Sequence, residues 1–173
     1  MASREEGARR RTRWGLPVSY RLNRLVHNAV FDRDAPGFQL GREVYRRIEK
    51  AGKKARAIAH AAEQAVKVLA FDCRDCGDCG DCSLPEIAYL CPESQCVKNQ
   101  RNGPCGGTRQ GQCEVGEKPC IWALAYDRLK AYGQEEAMLR RPAVFRDAAL
   151  RGTSAWANTF LGRDNHAKNN RET

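Results

Sequence analysis

Aromatic side chains are scarce in this chain, at 8% of 173 residues, and there are three histidines. So few large rings exclude a big conventional hydrophobic core, and something else must help hold part of the chain together. No apolar run approaches the roughly 20 residues that span a bilayer, so a membrane is not an expected partner. The opening Met-Ala-Ser-Arg-Glu-Glu has no apolar signal-peptide core, and a cytoplasmic location is expected. Catalytic signatures are missing too. Gly106-Gly107 does not satisfy a dinucleotide-binding loop, no phosphate loop occurs, and no Ser/His/Asp arrangement is evident. His27, His60 and His166 stand at no ligand-like spacing and read as surface or packing residues.

What the chain does have is cysteine. All nine lie between Cys73 and Cys120. In a reducing compartment structural disulfides are rare, so clustered cysteines read as metal ligands or redox groups. The segment opens with Cys73, Cys76, Cys79 and Cys82 at two-residue gaps, then continues through Cys91, Cys96, Cys105, Cys113 and Cys120. Consecutive two-residue gaps let a chain wrap several corners of one iron–sulfur cubane. Cys91-Pro92 supplies a cysteine followed by proline, as ferredoxin-type sites do. Zinc is the rival, since four-cysteine structural sites also use paired spacings. The triple repeat favours iron–sulfur; zinc stays open, as does a purely structural metal.

Charge is unevenly spread about this segment. Residues 1–70 carry 16 Lys/Arg against 7 Asp/Glu, residues 71–120 carry 5 against 8, and residues 121–173 carry 9 against 6. Thiolates would make the middle more negative still, so the basic flanks suit either an anionic centre or an acidic partner. Arg9-Arg10-Arg11 reads as part of a disordered basic arm over residues 1–15. No nucleic-acid-binding signature follows it, so nucleic acid is not an expected partner.

The expected fold is mainly α, with small helices flanking a loop-rich, metal-stabilised cysteine core. A helical region spans 16–70, the core 71–120, a second helical region 121–162, and a flexible tail 163–173. Within the first region residues 18–31 form a short helix and Asp32–Gly37 a loop. Apolar or small residues Val44, Ile48, Ala51, Ala55, Ile58, Ala62, Val66 and Leu69 then step by threes and fours. That predicts one amphipathic helix over 41–70, its stripe covering the metal core and Lys67 among the charges on its other sides. The segment 71–120 is rich in glycine and proline, and ligation there can replace missing burial. Residues 121–132 predict a helix. Thr153 or Ser154 caps a last one ended by Gly162.

Several stretches carry a family signal. They are Cys79-Gly-Asp-Cys-Ser-Leu-Pro-Glu, Tyr89-Leu-Cys-Pro, Arg101-Asn-Gly-Pro-Cys-Gly-Gly, Gly111-Gln-Cys-Glu-Val, Cys120-Ile-Trp and Leu150-Arg-Gly-Thr-Ser-Ala-Trp. On these the chain, over about residues 70–162, resembles the C-terminal domain associated with methylenetetrahydrofolate reductases. It is similar to the cysteine-rich small subunit that partners the flavin-bearing reductase of acetogenic bacteria. The resemblance implies an accessory electron-transfer subunit without catalytic residues of its own. It implies two [4Fe–4S] clusters, with zinc as the alternative. The implied partners are a TIM-barrel flavoprotein and a donor such as ferredoxin. A TIM barrel takes around 250 residues, so the catalytic domain is expected on another chain. The implied ligands are Cys76, Cys79, Cys82, Cys91, Cys96, Cys105, Cys113 and Cys120. Cys73 is the departure from the family pattern: either it is spare or it displaces a neighbour. Lys98 and Arg101 are candidates to stabilise reduced clusters or line a docking surface.

Overall fold

The computed structural model describes residues 20–71, 73, 76–115, 118–140 and 143–164. The expected basic arm, His166 and the tail from residue 165 lie outside the described residues. The described chain is mainly helical, as expected. Its helices are α1 (Tyr20–Phe31), α2 (Pro36–Lys50), α3 (Lys53–Ala70), α4 (Pro92–Gln95), α5 (Ile121–Lys130), α6 (Ala137–Arg140) and α7 (Ala155–Phe160). One antiparallel hairpin joins β1 (Thr108–Arg109) to β2 (Gln112–Cys113), with Thr108 opposite Cys113.

Two boundaries differ from the sequence reading. The expected loop Asp32–Gly37 closes earlier, because Pro36 opens α2. Proline suits the first helical position, where its missing N–H would have had no partner. The single helix expected over 41–70 is two helices. Gly52 sits at φ +96°, a conformation that disfavours side-chain-bearing residues, and it separates α2 from α3. The apolar spacing runs across Gly52 without interruption, so periodicity alone could not reveal the break.

Two cores result. The smaller joins α1, α2 and α7: Phe160 packs its ring 5.3 Å from both Phe38 and Tyr45 and 5.1 Å from Phe31. Ser154 caps α7, its side chain accepting a hydrogen bond from the Ala157 N–H at 3.0 Å. The larger core gathers Tyr20, Leu84, Ile87, Leu90, Trp122 and Leu129 about Cys73 and Cys91. The cysteine segment is therefore folded into the main core rather than appended to it.

The third difference concerns α3. Its expected core-facing stripe points outward: Ile58, Val66 and Leu69 are 71%, 40% and 48% exposed. The inward positions hold Glu63 and Lys67, 1% and 4% exposed. Lys67 is thus not on an outer side of the helix. Burying a lysine and a glutamate is costly unless they pair and find further partners. The partners come from the cysteine segment and α7.

Candidate metal centre

The nine thiols fall into two neighbourhoods. In the first, Cys73 hydrogen-bonds with both Cys76 and Cys91, and Cys82 lies within electrostatic reach of Cys79 and Cys91. In the second, Cys96, Cys105, Cys113 and Cys120 line one small cavity. The helix α4 stands between them, with Cys91 at its N-cap and Cys96 at its C-cap. One turn of helix therefore connects the two groups. Sequence spacing left this partition open; the fold supplies it.

Local structure aims each sulfur. Backbone N–H groups of Glu93 and Ser94, at the start of α4, donate to Cys91, and that of Asp78 donates to Cys76. The hydrogen bond from Cys73 is the largest influence holding Cys76 and Cys91 below the ordinary thiol range, against burial that pushes them up. Cys73 is held far above that range, first by its bonds to Cys76 and Cys91 and then by burial. Burial raises Cys82 to about 12, with the Lys67 ammonium opposing.

Lys67 and Glu63 form a buried ion pair. Burial would lower the Lys67 pKa, but the charges of Cys82 and Glu63 raise it well above its ordinary value. Glu63 in turn accepts from the Ser154 hydroxyl and from the Trp156 N–H at 3.2 Å. One carboxylate therefore ties α3, α7 and the first cysteine group together.

The loop through Cys79 is clamped from the C-terminal side. The Asn158 amide donates to the Gly80 carbonyl at 2.7 Å, and the Gly152 N–H to the Asp78 carbonyl at 2.8 Å. Gly80 has φ +72°, and a Cβ there would meet the Leu150 carbonyl oxygen at 1.8 Å, so only glycine fits. His60, expected to be a surface or packing residue, bonds Asp78 at 2.7 Å. Glu93 receives Asn99 at 2.6 Å, Arg101 at 2.7 Å, and Arg146 and Arg151 at 3.0 Å each. Sequence reasoning missed Glu63, Lys67 and Glu93 as site residues. Buried charge next to a cysteine run was the available signal, but it is visible only once the helix face is known.

The second neighbourhood is built differently. The hairpin holds it: the Glu114 N–H donates to the Gly107 carbonyl and the Cys120 N–H to the Gly111 carbonyl, each at 2.9 Å. The Gln100 N–H donates to the Cys96 sulfur at 3.4 Å. Cys105 is exposed. Lys98 pairs with Glu114 and feels Cys105 and Cys113, so it does stand at this site, at the surface. Arg101 does not line a docking surface, because its side chain is 9% exposed and engaged with Glu93 and Ser83.

The donor set suits a thiophilic centre. The nine cysteines are free thiols divided between the two neighbourhoods, and Thr108 Oγ1 is buried at the second cavity with no hydrogen-bond partner among the described residues. That hydroxyl has a donor left for a bound sulfide or thiolate. Among the described residues, no group of three or more His, Cys, Asp or Glu stands in an arrangement that could hold a metal ion. No helix among them is long and apolar enough to cross a membrane.

A family model described as methylene-tetrahydrofolate reductase C terminal matches residues 44–148, more than half of the chain and all nine cysteines. No curated protein matches, and no solved structure does.

Proposed function

The chain belongs to the methylenetetrahydrofolate reductase C-terminal family, and from that membership we propose that it is an iron–sulfur electron-transfer subunit serving a flavin-bearing reductase. The observation that carries the proposal is the pairing of two thiol groups through α4, between Cys91 and Cys96. The first group, Cys73, Cys76, Cys79, Cys82 and Cys91, would hold one cluster. The second, Cys96, Cys105, Cys113 and Cys120, would hold the other. Each offers at least the four thiols that a [4Fe–4S] cluster takes. Such clusters supply one-electron redox chemistry when bound. This chain's own residues aim backbone N–H groups at the sulfurs and place Lys67 against the first group, which stabilises negative charge there. The exposed Cys105 and Lys98 give the second group a face toward a partner.

Full-length protein purified without oxygen tests this. Two four-iron clusters require about eight iron and eight acid-labile sulfide per chain. Protein with neither would sink the proposal. Mixing it with the flavin-bearing reductase and a reduced ferredoxin then reads electron transfer as flavin bleaching, which should need both chains.

A structural zinc module is the second reading, and one observation favours it at the second site. The cavity among Cys96, Cys105, Cys113 and Cys120 is about 20 Å³. That is room for one water-sized atom, so a single ion would enter with less movement than a cubane. Zinc at about one per four-cysteine site, without sulfide, would establish this reading instead.

A further inference from the structure

A cavity of about 510 Å³ lies where the two hydrophobic cores meet. Small-molecule sites run from roughly 300 to 1,000 Å³. Phe31 and Trp156, packed on the smaller core, line it from one side; Phe71 and Tyr89, of the larger core, line it from the other. His27 joins the two pairs. The rings follow one another: Trp156 to Phe31 at 5.7 Å, Phe31 to His27 at 5.3 Å, His27 to Tyr89 at 5.9 Å and Tyr89 to Phe71 at 5.9 Å between centroids. A chain poor in aromatics thus places an unbroken run of rings on one cavity.

The backbone beneath that run is strained. Ala88 and Tyr89 have φ +50° and +63°, and a bulky residue at positive φ is an outlier. Such conformations persist only where the surroundings fix them, and they cluster at ligand sites. Here the Arg128 guanidinium donates to the Ala88 carbonyl at 2.7 Å, and the Tyr89 N–H donates to the Leu84 carbonyl at 2.7 Å. Those bonds hold the Tyr89 ring between His27 and Phe71, where it completes the run.

Charge narrows the occupant. Asp32, Asp34 and Glu86 line the cavity against one cation, Arg33. Aromatic faces and carboxylates both attract positive charge and N–H groups, and both disfavour an anion. The length of the ring run suits a flat, extended molecule better than a compact ammonium. We infer that this cavity binds a planar nitrogen heterocycle of about two or three fused rings, carrying N–H donors or a positive charge. It is seated on the aromatic run with its donors toward Asp32, Asp34 and Glu86. Cys82 and Leu84 also line the cavity, so the occupant stands against the first cysteine neighbourhood. The inference goes beyond the cluster reading and does not depend on it.

Titration calorimetry on full-length protein purified without oxygen tests this. The probe is proflavine, a flat tricyclic diamine cation. Anthracene-9-carboxylate matches its shape with the opposite charge, and tetramethylammonium matches its charge without the flat rings. Proflavine should bind at about one per chain and at least roughly tenfold tighter than either control. The net charge of +9 makes that order informative, since binding by overall charge would favour the anion. Trp156→Leu should weaken proflavine about tenfold by shortening the ring run. Asp32→Asn with Asp34→Asn, two exposed positions, should weaken it several-fold; asparagine keeps the Asp32 oxygen that accepts the Asp34 N–H at 3.2 Å. Absence of proflavine binding overturns the inference, as does equal affinity for either control. So does wild-type affinity in the double asparagine variant, even if Trp156→Leu fails to fold. Calorimetry reads the ligand and not the metal. Protein free of iron that still binds proflavine in this order would therefore sink the cluster proposal alone.

Discussion

The two cysteine neighbourhoods solve one problem by different means. The first is set into the main hydrophobic core, with Cys73 and Cys91 buried and an ion pair from α3 beneath it. The second hangs on a two-stranded hairpin whose strands are two residues long, with Cys105 open to solvent. Burial and charge hold the first in place before anything is bound. The second has Cys96 and Cys120 packed against the same core, but its hairpin and Cys105 stand outside it, so ligation matters more to its order. Both lie beside a lysine paired with a glutamate: Lys67 with Glu63, and Lys98 with Glu114. The same residue types carry very different weight in the two places, because one pair is buried and the other faces water.

Breaking the two lysine pairs separately gives the largest expected contrast. Lys67→Met leaves the buried Glu63 without its ammonium partner, beside Ser154 and Trp156. Removing one partner of a buried pair costs about 3–5 kcal/mol. Urea unfolding of the anaerobic protein should show that loss, and the first site should lose metal before the second. Lys98→Met removes a pair that water already screens, and its unfolding curve should overlay wild type. Equal losses in the two variants would erase the distinction between a core-held and a surface-held site.

Glu93 joins the neighbourhoods, and its carboxylate sharpens the comparison through pH. Burial pushes its pKa up, but bonds from Asn99 and Arg101 and the charges of Arg146 and Arg101 win, so it lies below the ordinary carboxylate range. A depressed carboxylate contributes stability that is fully present above its unfolded pKa of 4.5 and is lost as pH falls through the folded value. Glu93→Gln keeps the shape and removes the charge. Hydrogen bonds to charged groups contribute about 1.5–3 kcal/mol each. The variant should therefore be less stable than wild type at pH 7 by an amount of that order. The gap should close progressively below pH 4.5. A gap that stayed constant with pH would show that the arginine cluster acts through packing rather than charge.

Much of this was legible in the sequence, for identifiable reasons. The Ser154 cap and the α5 start at Ile121 follow from local chemistry: Ser154 is one of the two caps that sequence offers, and Ile121 is where sequence starts the helix. The family stretches follow from specific residues such as Arg101 to Gly107, which the matching span includes. The α2–α3 break at Gly52 was hidden, because alanine-rich periodicity continues across it. The sorting of nine cysteines was hidden too, since it depends on α4 placing Cys91 and Cys96 on opposite sides of one turn. Lys67 looked like a solvated charge because nothing in its own helix says that thiols will face it.

The smallest expected effect tests the most surprising of these departures. Sequence periodicity makes Ile58, Val66 and Leu69 the core face of α3, and on that reading Ile58→Ser or Val66→Ser would open a cavity. Large-to-small changes at core positions cost about 2–5 kcal/mol. In the fold these side chains are 71% and 40% exposed, and the inward face belongs to Glu63 and Lys67. Surface substitutions away from caps and buried pairs stay within about 0.5 kcal/mol. Serine at either position should therefore leave the urea midpoint and the metal content of both neighbourhoods unchanged in the isolated chain. A cooperative loss from Ile58→Ser would mean that α3 turns its apolar stripe inward after all. Lys67 would then rotate away from Cys82, and the charge that distinguishes the first neighbourhood from the second would go with it.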